Sequence, residues 1–397
     1  MTETFRFSDA EFSNRMDKLK KKMEQKNIDL ALILHPLDIY YFAGIVAHAI
    51  LVIPLEKDPV FLVQINEKRV REESWIADVR PSTGFSTLKE VLQELQKTLN
   101  CIGIEMDVLP VKMFQRLQKL IPDTAFEDIS PDILETRLIK SEKEIEIMKK
   151  AAEISYQGFR SCMKALRPDI TEFEIKNKIT ETQISLGAEP LLTFRAWNQF
   201  PCFGTVSSGE NNYEVSGYWL NGGGKGISLD RPWGPSCKKI KPGEFICVNK
   251  GFSFHGYHVD EARTFFIGEP DARQQKCYDT IHEAMKAAVV AAKPGNYIKD
   301  IFQAAKEVVE ASEFSGFFMT NALYDFEYVG HGLGLEIDEP PLVSPKTDLI
   351  LKPGMTLALE PKIMIPGWDG ADLEDTVLIT ETGAEIITKT ERNLICI

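Results

Sequence analysis

The chain reads as two mixed domains: an α/β domain over residues 1–135, then an α+β domain over residues 136–397 built from an internal duplication. Three observations predict this. Short apolar strands alternate with amphipathic helices up to about residue 130. Two long helices then open on capping boxes. After them a KPG turn leads into an apolar strand twice over, about a hundred residues apart.

In chain order, "DAEFSNRMDKLKKKMEQKNI" carries Phe12, Met16, Leu19 and Met23 at helical spacing among charges; its run "KLKKKMEQK" is a solvated face. "DLALILH" and "AILVIPL" read as buried strands, and "DPVFLVQ", "NCIGIEMD" and "AFEDIS" as further short ones. The helices between them are "LKEVLQELQKTL" and "PVKMFQRLQKLI". Past the boundary, Ser141 with Glu144 opens one helix, and Thr171 with Glu174 opens another that stops at Gly187.

Composition narrows the class. Over 397 residues, 46 Lys+Arg against 59 Asp+Glu give a net charge of -13, which disfavours nucleic acid or an anionic membrane as partner. No run of 18 apolar residues suggests a membrane span, and the N-terminus has no signal-peptide core. Seven cysteines, an odd number without a CxxC pair, fit a reduced cytoplasmic protein.

The duplication locates the chemistry. "ALRPDITEFEIKNKI" resembles "AAKPGNYIKDIFQAA", and "KIKPGEFICVNKG" matches "ILKPGMTLALEPK". Superposed on the KPG turn, Asn249 falls on Glu360. On the returning segments "VDEARTFF" and "LEDTVLIT", Asp260 falls on Glu374. A pseudo-two-fold axis is expected, with these four residues near it. Carboxylates pointing inward need neutralising, and a divalent cation does so most simply. His331, in "YVGHGLGLEIDEPP", offers an imidazole beside glycines that let the backbone approach closely.

These motifs carry a resemblance. "HPLDIYYFAGI" in the first part, and "NKGFSFHGYHVDEART", "GHGLGLEIDEPP", "LALEPKI" and "LEDTVLI" in the second, are similar to the creatinase/prolidase/aminopeptidase P/methionine aminopeptidase superfamily, peptidase family M24, over the whole chain. The resemblance implies a creatinase-type N-terminal domain, a pita-bread catalytic domain, a homodimer, and a hydrolase similar to Xaa-Pro aminopeptidases and prolidases. It implies two metals sharing a nucleophilic water, held at the positions of Asn249, Asp260, His331, Glu360 and Glu374, where the metallopeptidases carry Asp, Asp, His, Glu and Glu.

The chain departs from that pattern. Asn249 stands where the family has Asp, so the expectation is at most one divalent metal per chain (Mn, Zn, Co or Fe), held by His331 and Glu360 with Asp260 and Glu374, and a metal content that Asn249→Asp raises toward two. A metal-free site is the alternative. With fewer cations, repulsion should raise the pKa of Asp260 or Glu374 and free one as a general acid or base. Family histidines are replaced near Pro232, flanked by Arg231 and Trp233, and at Asp338, which sets the expectation of poor Xaa-Pro turnover. Creatinase shares the Asn but lacks the acid matching Asp260.

Candidate substrate-binding residues are Asp338, Arg231, Trp233, His255, His258 and His48, the last through a dimer neighbour. His35 and His282 read as structural, and Arg263 as the partner of a carboxylate. The glycine- and aromatic-rich segment 207–235 is either a loop or a substrate-binding loop; its "NGGGKG" lacks the spacing of a phosphate loop. The resulting reading is a hydrolase acting on an amide or other C–N bond of a dipeptide or small amino-acid-like molecule. The alternatives are a creatinase-like hydrolase or lyase on a non-peptide substrate, and an inactive binding module.

Overall fold

The computed structural model describes residues 6–95, 99–196, 198–200, 202–216, 223–320 and 325–397, and every count or absence below refers to these. They form two compact units, residues 1–137 with 196–198, and residues 138–195 with 199–397.

The first unit comprises α1 (Asp9–Gln25), β1 (Leu30–Ile33), α2 (Pro36–Ala43), β2 (Ala49–Pro54), β3 (Val60–Val63), α3 (Glu67–Glu73), β4 (Asp78–Pro81), α4 (Phe85–Glu94), β5 (Cys101–Ile104), α5 (Val111–Leu120), β6 (Ala125–Asp128) and α6 (Ser130–Arg137). Ser8 caps α1 by accepting the amide of Glu11, and Phe12, Met16, Leu19 and Met23 are its buried stripe, as their spacing predicts. The strands form one sheet of order β4-β3-β2-β1-β5-β6. β1, β2 and β3 are buried along their whole length, which explains their unbroken apolar runs. α2, α3 and β4 carry no such pattern. α2 is set instead by Pro36 at its start and Gly44, at φ +85°, at its end.

The second unit comprises α7 (Glu142–Ala165), α8 (Glu172–Ser185), β7 (Thr205–Ser208), β8 (Phe245–Asn249), β9 (Phe252–Phe254), β10 (Tyr257–Val259), β11 (Ala262–Phe266), α9 (Ala272–Ala291), α10 (Ile298–Glu310), β12 (Gly330–Gly332), β13 (Glu339–Leu342), β14 (Thr356–Leu359), β15 (Lys362–Ile365), β16 (Asp369–Asp372), β17 (Asp375–Ile379), β18 (Ala384–Ile386) and β19 (Ile395–Cys396). Both capping boxes, Ser141/Glu144 and Thr171/Glu174, are formed with both reciprocal hydrogen bonds. Gly187 follows α8 at φ +93°.

The duplication is visible in the packing. Residues of α7 and α8 cover β8 and β11 in one apolar cluster around Phe159, Ile179, Val248 and Phe265. Residues of α9 and α10 cover β14 and β17 in another around Ile281, Ile301, Leu357 and Val377. The two sheets, β19-β11-β8-β7 and β13-β12-β14-β17-β18, meet where Ala262 and Glu374 exchange backbone hydrogen bonds of 3.2 and 3.1 Å. Beside them Thr376 Oγ1 bonds both the amide and the carbonyl of Asp260, at 2.9 and 2.8 Å. The halves are not in identical register. Asn249 pairs with Ala262, but Leu359 pairs with Asp375. Superposing Asp260 on Glu374 therefore leaves the partner strands two residues out of step with the KPG match, which is how Glu360 reaches past the end of β14.

Candidate active site

All five residues of the predicted set lie on one cavity of the second unit. Asn249 is the last residue of β8. Asp260 lies between β10 and β11, His331 is the centre of β12, and Glu360 and Glu374 flank β14 and β17. The glycines beside His331 are required by close approach. A Cβ on Gly330 would lie 2.0 Å from the carbonyl oxygen of Ala358, and one on Gly332 would lie 2.4 Å from that of Pro340. Only glycine lets β12 lie between β13 and β14.

His331 Nδ1 lies 3.0 Å from the carbonyl oxygen of Gly332, to which it donates as Nδ1–H. That bond fixes the ring and leaves Nε2 facing the cavity, the arrangement metal-binding imidazoles use. Nε2 lies 3.4 Å from Asp338 Oδ1 and 3.9 Å from Glu360 Oε1. Asp260 Oδ1 accepts the amide of Glu261 at 3.1 Å. One ligand atom each from Asp260, His331 and Glu374 lies within 4.8 Å of the others. Two metal–ligand bonds of about 2.1 Å span close to that distance. Glu374 Oε1 is buried without a hydrogen-bond partner. A buried, unsatisfied carboxylate oxygen beside an imidazole nitrogen and a second carboxylate fits a divalent cation. Bound there, such a cation supplies Lewis acidity and lowers the pKa of bound water.

The remaining positions are held by donors. Asn249 Nδ2 donates to Glu374 Oε2 at 2.7 Å. Lys362 Nζ donates to Glu360 Oε2 at 2.6 Å and lies 3.5 Å from Asp372 Oδ2. Lys362 and Asp372 line the same cavity, and sequence reasoning missed both. A signal was present: Lys362 stands two residues after Glu360, Asp372 two before Glu374, and they are direct cross-strand partners in the β15–β16 hairpin.

Electrostatics follow from burying this much charge. Burial pushes Asp260 up to about 7, with Glu360 and Asp338 adding to it against the pull of His331. Glu374 is raised well above the usual carboxylate range by burial and then by Asp260 and Glu360. Asp372 rises to about 6, chiefly by burial, against the pull of Lys362. Burial acts to raise Glu360, but Lys362 and His331 outweigh it and hold it low. Burial likewise disfavours the Lys362 ammonium, and Asp372, Glu360 and Glu374 overcome that, so its pKa is raised.

Arg263 is fully buried at the junction of the halves. It pairs with Asp375 at 2.7 Å and Glu261 at 3.0 Å and donates to the carbonyl of Glu374 at 2.6 Å. It thus holds the backbone carrying one acid of the cluster.

Of the expected substrate-binding residues, only Asp338 lines the cavity. His258 does not: it is buried, with Nε2 accepting the amide of Thr193 at 3.2 Å and Nδ1 3.0 Å from the carbonyl oxygen of Gly334. His255 sits at φ +48° in the β9–β10 turn, edge-on to Phe254. Arg231 lies over the rings of Phe200 and Trp233, and neither Arg231 nor Trp233 lines the cavity. His48 is exposed in the first unit. These positions follow from strand pairing, which residue type does not disclose. Within 207–235, residues 217–222 lie outside the described residues; Thr205, just before it, lines the cavity. The cavity measures about 480 Å³, with an apolar side formed by Leu192, Phe194, Met319, Tyr328 and Ile337. That is the size of a small-molecule or dipeptide site. No described helix is long and apolar enough to cross a membrane.

Known proteins resemble this chain over nearly its whole length. The model of metallopeptidase family M24 matches residues 146–381, and that of the creatinase/prolidase N-terminal domain matches residues 15–139. The Xaa-Pro dipeptidase of Pyrococcus furiosus is 30% identical over 383 residues, spanning 96% of this chain and 99% of that protein. The Xaa-Pro dipeptidase of Pyrococcus horikoshii is 29% identical, with 96% and 99% covered. The crystal structure of the prolidase from Pyrococcus horikoshii OT3 superposes with a TM-score of 0.81 at 28% identity, over 96% of this chain and all of that one. The Xaa-Pro dipeptidase from Bacillus anthracis, at 24% identity, shares the fold with a TM-score of 0.84 over 97% of this chain and 100% of that one. With both family models matched in order and the pita-bread fold in place, the chain belongs to metallopeptidase family M24 and is a prolidase-like hydrolase.

Proposed function

We propose that the enzyme hydrolyses an amide or other C–N bond in a small peptide or amino-acid-like compound, using one divalent cation per chain. Asp260, His331 and Glu374 hold the cation, and Glu360 Oε1 adjoins it. The observation that carries this reading is the buried, unpartnered Oε1 of Glu374, in a residue whose carboxylate joins Asp260 and His331 within 4.8 Å on a cavity of about 480 Å³. Asp338 faces the bound substrate from the rim, 3.4 Å from His331. The names of the relatives support an Xaa-Pro dipeptide as the parent substrate type. The occupied Asn249 and Lys362 positions support a narrower or altered substrate than a standard prolidase takes.

The same reading places a domain boundary near residue 135, takes the enzyme as cytoplasmic on its cysteine usage, and as a homodimer, as the family resemblance implies. The test is elemental analysis of protein purified without chelator, with assays on Xaa-Pro dipeptides and on N-acyl and cyclic amino-acid amides with Mn, Co and Zn. The expected result is about one metal per chain and faster turnover of a non-prolyl amide. Turnover of Xaa-Pro dipeptides on the order of 10 per second would restore the standard prolidase reading, and activity unaffected by chelator would remove the metal.

A further inference from the structure

The carboxylate cluster contains two nitrogen donors where a second cation would need acceptors. Asn249 Nδ2 takes Glu374 Oε2 at 2.7 Å, and Lys362 Nζ takes Glu360 Oε2 at 2.6 Å while standing 3.5 Å from Asp372 Oδ2. Each oxygen so engaged keeps one lone-pair direction of two, and the ammonium on Glu360 Oε2 repels any cation that approaches it. Glu374 Oε1 and Asp372 Oδ1 are left without a hydrogen-bond partner, Glu360 Oε1 lies 3.9 Å from His331 Nε2, and one ligand atom each of Asp260, His331 and Glu374 lies within 4.8 Å of the others.

The ammonium is not a passing surface charge. Lys362 is 7% exposed, Asp372 is 3% exposed, and their strands place them directly opposite one another. Another buried ion pair of this unit, Lys140 with Glu339 at 3.0 Å, uses no member of the metal-binding trio or Glu360. Lys362, by contrast, binds a carboxylate that lies 3.9 Å from His331. A buried ammonium among carboxylates does electrostatically what a cation does, except that it is covalently attached and cannot be exchanged.

We infer that the Lys362 ammonium, with the Asn249 amide, replaces the second cation of a two-metal site, so that restoring the carboxylate at position 249 alone does not rebuild that site. The inference rests on the one-cation reading above and deepens it. The site does not fit two cations: a second one would meet a fixed positive charge and two engaged carboxylate oxygens. Removing the amide leaves the ammonium in place. Removing both frees Glu360 Oε2, Glu374 Oε2 and Asp372 together.

The test is stoichiometry, read by calorimetric titration of Mn²⁺ into metal-stripped protein with elemental analysis of the product. Wild type, Asn249→Asp, Lys362→Ala and the double variant are compared, with circular dichroism to establish folding. Wild type and Asn249→Asp are expected to bind the same number of equivalents, and the double variant one more. A second equivalent in wild type or in Asn249→Asp would overturn the inference, as would a folded double variant with no gain. If Lys362→Ala does not fold, the Asn249→Asp arm decides alone. Failure of the one-cation reading looks different: wild type binds none while the double variant still gains one. The converse, one equivalent in every form, removes the role of Lys362 and keeps the single cation.

Discussion

The two oxygens of Glu374 are treated differently: Oε2 accepts the Asn249 amide at 2.7 Å, while Oε1 is buried and unbonded. Asn249 therefore does more than supply a weaker ligand. It donates to a carboxylate that its family counterpart would have repelled, and it ties down one oxygen of Glu374.

Glu374→Gln removes the charge at that oxygen and keeps the shape. Bound metal after dialysis should fall to a small fraction of wild type and kcat/KM by at least about 100-fold, since even groups that only orient metal ligands cost 10–100-fold when lost. Unfolding midpoints should fall little or rise, because an uncompensated buried carboxylate is replaced by a neutral amide. Loss of metal together with a large fall in stability would indicate that Glu374 acts through the fold.

Arg263→Met leaves Glu261 buried without a guanidinium, while Asp375 keeps Arg392 at 2.8 Å. Breaking such a pair from one side costs about 3–5 kcal/mol, which urea unfolding at neutral pH should show. The carbonyl of Glu374 loses a donor as well, so Mn²⁺ affinity should drop in the fraction that folds.

Gly330→Ala places a methyl group 2.0 Å from the Ala358 carbonyl oxygen. β12 must then shift away from β14, carrying His331 with it. Metal affinity should fall by more than stability does, because the shift separates His331 Nε2 from Asp260 and Glu374. A crystal structure or calorimetry showing an unmoved, fully competent site would refute this.

Asp369 gives a dependence on pH. It is raised from an ordinary value of 3.8 to about 6, first by burial, while accepting hydrogen bonds from the amides of Phe245 and Gly370 and from Asn212. A carboxyl whose folded pKa lies above its unfolded value contributes its full share of stability below pH 3.8, and loses it as pH rises through 6. At about 1.4 kcal/mol per unit, the loss is up to ~3 kcal/mol. Asp369→Asn should be less stable at every pH through its altered hydrogen bonds. Its denaturant midpoint should, however, fall less than that of wild type between pH 4 and pH 6.5. Parallel pH profiles for the two proteins would disprove the assignment.

Much of the fold was legible because its signals are local. A capping box is a relation between residues three apart, and both boxes formed where Ser141 and Thr171 announced them. The buried stripe of α1 and the unbroken apolar runs of β1, β2 and β3 are likewise one-segment patterns. α2, α3 and β4 escaped notice because each is short and lacks a sustained apolar period; flanking residues and neighbours define them.

The sequence by itself determined which residues stand at the ends of the duplicated strands, because the KPG turns and the return segments tie Asn249, Asp260, Glu360 and Glu374 to covalently adjacent hairpins. Only the tertiary structure decided their company. Cross-strand register set Lys362 opposite Asp372, and both beside Glu360. Strand packing turned His331 into the cavity and buried His258 against backbone groups. The junction of the halves gave Arg263 its two carboxylates. Residue type and spacing fix which groups a strand presents. Which charge meets which depends on pairing between segments distant in the chain, and there a shift of two residues exchanges one partner for another.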